Sequence, residues 1–247
     1  MPMLNIRQLQ IDLNALGASP QLTVDGWAGK MTRDAVKAFK IAHHLPADSI
    51  PDYATQAAIQ TALGVFVPPL PAIPAGVGYC RIGNGLGGNA TSPGMAALQQ
   101  QVIAKFPKVI CPAPFDGEDE AQVVQDFMAQ PANMPLILIG YSWDADNTSL
   151  IAAAIYGRRR IAFLFAYQPS VYYPTVPIGD NVDVARCVYN PNWIATFGLG
   201  YEQLALAPGN GITDFQLIPT TDSHPAVQFD TAYHELCLDG IGKAVGA

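Results

Sequence analysis

The chain opens on apolar positions at helical spacing. Ile6, Leu9, Leu13 and Leu16 share one face of a predicted helix that stops at Gly17. After a Gly-rich turn, Val36, Phe39 and Ile41 mark a second helix, with Thr32 placed to cap its start. A third helix is predicted from Tyr53 to Leu63, ending at Gly64. Beyond residue 75 the pattern changes to short continuous apolar runs that alternate with helical stretches. Strands are predicted in GVGYCRI, KVICPA, PLILIGYS, IAFLFAY, VARCVYN and DFQLIP, and helices over 93–105, 118–129, 148–156 and 227–238. Apolar strands without alternation, separated by helices, imply a mostly parallel sheet covered on both faces.

Between the two patterns lie Pro68, Pro69, Pro71 and Pro74, a spacing that neither a helix nor a central strand tolerates. The expected organisation is therefore a small all-α domain over 1–64, a Pro-rich linker over 65–75 and an α/β domain over 76–247. Charge divides at the same place: residues 1–64 carry five basic and five acidic side chains, and the rest holds eight basic and fifteen acidic.

Composition narrows the function. Of 247 residues, 50% are apolar and only 13% charged, which excludes a charge-driven disordered chain. A net charge of −7 gives no basic footprint for a phosphate backbone, so no nucleic-acid partner is expected. No apolar run reaches bilayer length, and MPMLNIRQLQ lacks the basic and apolar regions of a secretory signal, so neither membrane insertion nor conventional export is expected. Cys80, Cys111, Cys187 and Cys237 show no CxxC pair and read as buried free thiols. His43 and His44, adjacent on a helix, point in different directions, and no HExxH-type ligand set occurs, so no metal and no cofactor is expected.

The stretch LQIDLNALGASPQLTVDGWAGKMTRDAVKAFKIAHHL resembles the three-helix peptidoglycan-binding domains of cell-wall amidases and endolysins. The resemblance rests on Leu9, Leu13, Leu16, Gly17, the run Val24-Asp25-Gly26-Trp27, Gly29, Thr32, Ala35, Val36, Phe39 and Leu45. It implies peptidoglycan as a partner, with Asp25, Trp27, Arg33 and Tyr53 as contacts beside the turns. Trp27 as a turn-packing aromatic and Arg33 as a solvated helix charge are the bland alternatives. The family's second Asp-Gly turn is replaced here by Asp48-Ser49-Ile50-Pro51-Asp52.

Gly140-Tyr141-Ser142 ends an apolar strand directly before a helix, the setting of a nucleophile elbow. With Arg81 to Gly88 after the first strand and Ser92-Pro93-Gly94-Met95 opening a helix, residues 76–247 resemble a lidless lipase/esterase-like α/β hydrolase. The resemblance implies Ser142 as nucleophile, His224 as base, and the backbone N–H groups of Trp143 and Leu86 as oxyanion donors. For the acid it leaves Asp183, Asp180 and Asp214; where such proteins often carry Asp-Pro, this chain has Gln168-Pro169. Sequences of this type read G-Y-S-x-G-A-D, whereas this one reads GYSWDAD. Asp144 is expected to push the helix away or to ionise beside the oxyanion. His234, in the last helix, reads as a surface or core residue.

Two functions follow. The first is a peptidoglycan-binding protein whose hydrolase-like domain has a degraded site and serves as a structural or interaction body. Its aromatic stretch QPSVYYPTVPIG would face partners such as other proteins of a phage virion or tail, and its place would be the virion, or the cytoplasm until lysis, before it acts at the wall. The second is an active serine esterase tethered to the cell envelope.

Overall fold

The computed structural model describes residues 6–64, 72–156, 158–170, 175–192, 203–208, 210 and 213–247. Three helices, α1 (Ile6–Ala15), α2 (Lys30–Ala42) and α3 (Tyr53–Ala62), close around Leu9, Leu13, Leu22, Val36, Phe39 and Ile59. Gly17 and Gly64 follow α1 and α3 at φ +87° and +79°, a backbone region that L side chains rarely adopt. Thr32 does not cap α2. That helix starts at Lys30 after Gly29, and the buried Thr32 hydroxyl accepts from Gln10 Nε2 at 3.0 Å, tying α2 to α1. Ile41, expected inside, is exposed.

The segment in place of the family's second Asp-Gly turn is built around a buried lysine. Lys40 Nζ donates to Asp48 Oδ1 at 2.6 Å and to the Ile50 carbonyl and Asp52 Oδ2 at 3.2 Å each. Burial of such a charge is tolerated because it is paired and hydrogen-bonded. The same loop holds the helical part against the α/β part: Asp48 Oδ2 accepts from Arg160 Nη1 at 2.5 Å, and the Ser49 and Tyr156 hydroxyls meet at 2.6 Å. The Arg33 guanidinium lies 5.3 Å from the Tyr156 ring centroid. Residues 65–71 of the Pro-rich stretch fall outside the described residues.

The remainder is a six-stranded, wholly parallel sheet. Its strands are β1 (Gly78–Gly83), β2 (Val109–Ile110), β3 (Leu136–Tyr141), β4 (Ile161–Tyr167), β5 (Val182–Tyr189) and β6 (Asp214–Pro219), in the order β2-β1-β3-β4-β5-β6. Alternate residues of each strand enter opposite cores. Ile137, Ile139, Phe163 and Phe165 pack on α4 (Pro93–Lys105) and α8 (Thr231–Val245) through Leu98, Val102, Cys237 and Ile241. Leu136, Leu138, Leu164 and Ala166 pack on α5 (Glu120–Ala129) and α6 (Trp143–Ala154) through Phe127, Ala145 and Ile151. Both faces being covered explains the continuous apolar strands, each buried Leu or Ile contributing about 1.5–3 kcal/mol. All four cysteines are buried and free. The helix expected from Thr148 starts at Trp143, and the last long helix runs to Val245, beyond the expected Leu238.

Candidate active site

A parallel sheet gathers its strand C-termini at one edge, and the chemistry of this chain collects there. β3 ends at Tyr141, α6 begins at Trp143, and Ser142 alone turns the chain between them at φ 57°, ψ −120°. A non-glycine residue at positive φ is strained, and the surrounding packing holds it there. Gly140 permits the close approach of strand and helix, since a Cβ on it would lie 2.1 Å from the Asp144 carbonyl oxygen.

Asp144 neither displaces the helix nor ionises at neutral pH, contrary to the expectation from its position. Gly83 on the neighbouring strand leaves room for it; a Cβ there would come within 2.5 Å of Asp144 Cβ. The carboxyl is fully buried and its Oδ1 accepts from Asn147 Nδ2 at 2.8 Å. Burial, with smaller contributions from Asp116 and Asp119, pushes its pKa up to about 8. Uncharged, it does not oppose an oxyanion.

His224 opens the short helix α7 (His224–Val227), with its ring stacked on Tyr141 at 5.1 Å and its carbonyl accepting from the Tyr141 hydroxyl at 2.9 Å. Its Nε2 lies 2.8 Å from Ser142 Oγ and its Nδ1 3.0 Å from Gln168 Oε1. Gln168 follows β4 at φ 44°, is fully buried, and donates from Nε2 to the Asp222 carbonyl at 3.1 Å. That carbonyl can only accept, which settles which end of the amide faces the histidine. Oε1 then accepts the hydrogen bond from Nδ1–H, which leaves the Nε2 lone pair for Ser142. Burial alone pushes the His224 pKa down to about 4, so the imidazole is neutral. A neutral imidazole aimed at a strained serine can accept the hydroxyl proton as the oxygen attacks a carbonyl.

The loop after β1 borders the serine: a Cβ on Gly85 would stand 3.0 Å from Ser142 Cβ, and the Gly85 N–H donates to Ser92 Oγ at 2.8 Å. Leu86, next in that loop, is exposed, and Trp143 is the first residue of α6. Both expected oxyanion donors thus come from the two backbone segments that flank Ser142.

The expected acids are elsewhere. Asp183 and Asp214 lie at the starts of β5 and β6, and Asp180 just before β5, at the opposite edge of the sheet from Ser142. Asp183 accepts from Arg160 Nε at 2.9 Å, Asp214 from Arg186 Nη2 at 2.7 Å, and Asp180 from the Tyr156 hydroxyl at 2.8 Å. In a parallel sheet a strand's first residues cannot reach the edge where its last ones end, so none of the three serves His224. The residue that does is Gln168, and the signal was present as Gln168-Pro169 in the place of Asp-Pro. His234 is buried against the Gln228 carbonyl, with Nε2 at 2.8 Å.

In the helical part, Trp27 is 75% exposed, with one edge of its ring against Gly29 of the same turn, where a Cβ would stand 3.3 Å from Trp27 Cδ1. Asp25 accepts from Gln10 Nε2 and from the Trp27 N–H, both at 2.8 Å, and the Gln10 bond is the leading cause holding its carboxyl below the usual range. Arg33 is turned toward Tyr156 and donates to the Ala28 carbonyl at 2.8 Å, away from the solvated position considered for it. Tyr53 opens α3, and its side chain is outside the described part, as are Tyr172 and Tyr173. Among the described residues no group of three or more His, Cys, Asp or Glu side chains could hold a metal, and no helix is long and apolar enough to cross a membrane.

Residues 3–59 match the family described as "Putative peptidoglycan binding domain". No curated protein matches the chain. Among solved structures, the chain is similar to one described as a putative hydrolase of the alpha/beta superfamily from Xanthomonas campestris pv. campestris, at 13% identity and a TM-score of 0.44, over 68% of this chain and 98% of that one. It is also similar to the NocB thioesterase domain in covalent complex with a fluorophosphonate nocardicin G analog, at 11% identity and a TM-score of 0.43, over 69% and 95% of the two chains.

Proposed function

We propose that the protein is a serine acyl hydrolase of the bacterial cell envelope, brought to its substrate by the peptidoglycan-binding helices. Of the two expectations from sequence this is the second, and the contact between His224 Nε2 and Ser142 Oγ at 2.8 Å carries it. A serine kept only as a scaffold residue has no need of a strained backbone, a neutral histidine within hydrogen-bond reach and a fixed tautomer at once. In this reading Ser142 is the nucleophile and His224 the base. The Trp143 and Leu86 N–H groups receive the oxyanion, and exposed Trp27 beside Asp25 offers an aromatic face to glycan. Peptidoglycan is the partner that the family match supports.

The test is labelling of the purified full chain with a fluorophosphonate probe, beside Ser142→Ala. Labelling that depends on Ser142 is the expected result. Absence of labelling in folded protein that still sediments with peptidoglycan would favour the non-catalytic body, the reading that the missing carboxylate on His224 recommends.

A further inference from the structure

The acid of a serine triad does two separable jobs. It accepts a hydrogen bond from Nδ1–H, which fixes the tautomer and ring orientation, and it places negative charge beside the imidazolium that forms during proton transfer. Gln168 does the first and cannot do the second. Nδ1–H of His224 donates to an amide oxygen at 3.0 Å, in a position buried between β4 and the loop that carries Asp222.

The consequence differs between the two halves of the reaction. In acylation, Ser142 Oγ bonds to the acyl carbon and gives its proton to Nε2, and the bond to the leaving group breaks. A reactive donor offsets a weak base here, because a phenolate or thiolate departs as a stable anion, whereas an alkoxide needs the proton returned. With an anionic leaving group the imidazolium then gives its proton to solvent. In deacylation, water bonds to the acyl carbon, its proton goes to Nε2, and Ser142 Oγ leaves with that proton as the acyl–Oγ bond breaks. The ester being cleaved is then an alkyl ester of serine whatever the donor was, and no choice of substrate relieves it.

We infer that Gln168 makes this a site for activated acyl donors, aryl esters or thioesters, that stalls as the Ser142 acyl-enzyme. The inference rests on Ser142 acting as nucleophile. Gln168 is in these terms a positioning residue.

The full chain is mixed with p-nitrophenyl butyrate, and p-nitrophenol release is followed from the first turnover, with intact mass and peptide mapping of the protein in parallel. The expected record is a burst close to one equivalent, a slow steady phase, and a butyryl adduct on Ser142; ethyl butyrate produces neither burst nor adduct. A carboxylate in this place can be supplied by Gln168→Glu, the isostere whose second oxygen meets the Asp222 carbonyl, or by Gln168→Asp, which is shorter and free of that contact. At least one of the two should raise the steady phase by about tenfold or more and shrink the burst, within the range of a general base. Gln168→Ala should slow both phases together, since it frees the tautomer. Linear release from time zero with no adduct, from protein that fluorophosphonate labels at Ser142, would overturn the inference and leave the hydrolase reading standing. Protein that takes up neither probe sinks both.

Discussion

Asp144 offers a prediction whose size follows from its place in the fold. Its carboxyl sits beneath the nucleophile turn, fully buried over Gly83, with a pKa of about 8 against an ordinary value of 3.8. Between those values the folded chain keeps a proton that the unfolded chain has released. Unfolding therefore releases a proton in this window, and stability falls as pH rises, by about 1.4 kcal/mol per pH unit. The effect begins near pH 4 and saturates near pH 8. Asp144→Asn keeps the shape and the hydrogen bond from Asn147 but cannot ionise, so it removes the slope. Urea unfolding of both proteins at pH 4.5, 6 and 7.5 isolates this residue, because every other titrating group is common to the pair. The stability of Asp144→Asn relative to the wild type should climb by about 4 kcal/mol across that range. Any constant offset from the amide is irrelevant; a difference that stays level with pH would refute the assignment of a neutral buried carboxyl.

Three further outcomes are expected. His224→Gln removes a group whose pKa falls from 6.5 to about 4 on folding, so the unfolded chain takes up the proton first, and the wild type should lose about 3 kcal/mol more than the variant as pH drops from 7 to 4. Asp48→Ala leaves the fully buried Lys40 with Asp52, and Arg160 with Asp183, as remaining carboxylate partners; a loss of about 3–5 kcal/mol is expected in urea, and a loss below about 1 kcal/mol would show that this network carries little of the stability. Trp27→Ala should move stability by no more than about 0.5 kcal/mol while weakening sedimentation with peptidoglycan, and unchanged sedimentation would remove Trp27 from the binding face.

Sequence was most informative where one face of an element meets a single environment. α4, β4 and β6 lie where the apolar runs and the Pro93 start placed them, and Gly17 and Gly64 mark the turns beyond α1 and α3. It was least informative where polar side chains point inward. α6 buries Asp144, Asp146, Asn147, Thr148 and Ser149 in its first two turns, so its start carries no hydrophobic period and was read five residues late. α8 contains Gly240, which reads as a stop but is there because a Cβ would stand 2.2 Å from the Phe163 ring. Thr32 was read as a cap because its partner, Gln10, lies on another helix.

The candidate site divides in the same way. Ser142 is visible through its strand-to-helix context, which is local. His224 was located by its loop, although the distance that joins it to Ser142 spans 82 residues of chain. Carboxylates in the sequence point to Asp180, Asp183 and Asp214, whereas the sheet's polarity selects the residue after β4. Nor could sequence show that Gly83 makes room for Asp144, because the two meet only once β1 and β3 lie side by side in register.

The loop from Asp48 to Asp52 gives the protein a short arm of set length. A catalytic body on a slack tether sweeps a volume around its anchor, and one binding event can serve many bonds. Here ion pairs and hydroxyl contacts grip the helical part directly, so in the proposed function each landing on the wall would present the serine to one small patch at one height. Progress across a surface then requires letting go and landing again. In the proposed function, a tighter wall-binding variant should therefore reach fewer patches of wall in a given time.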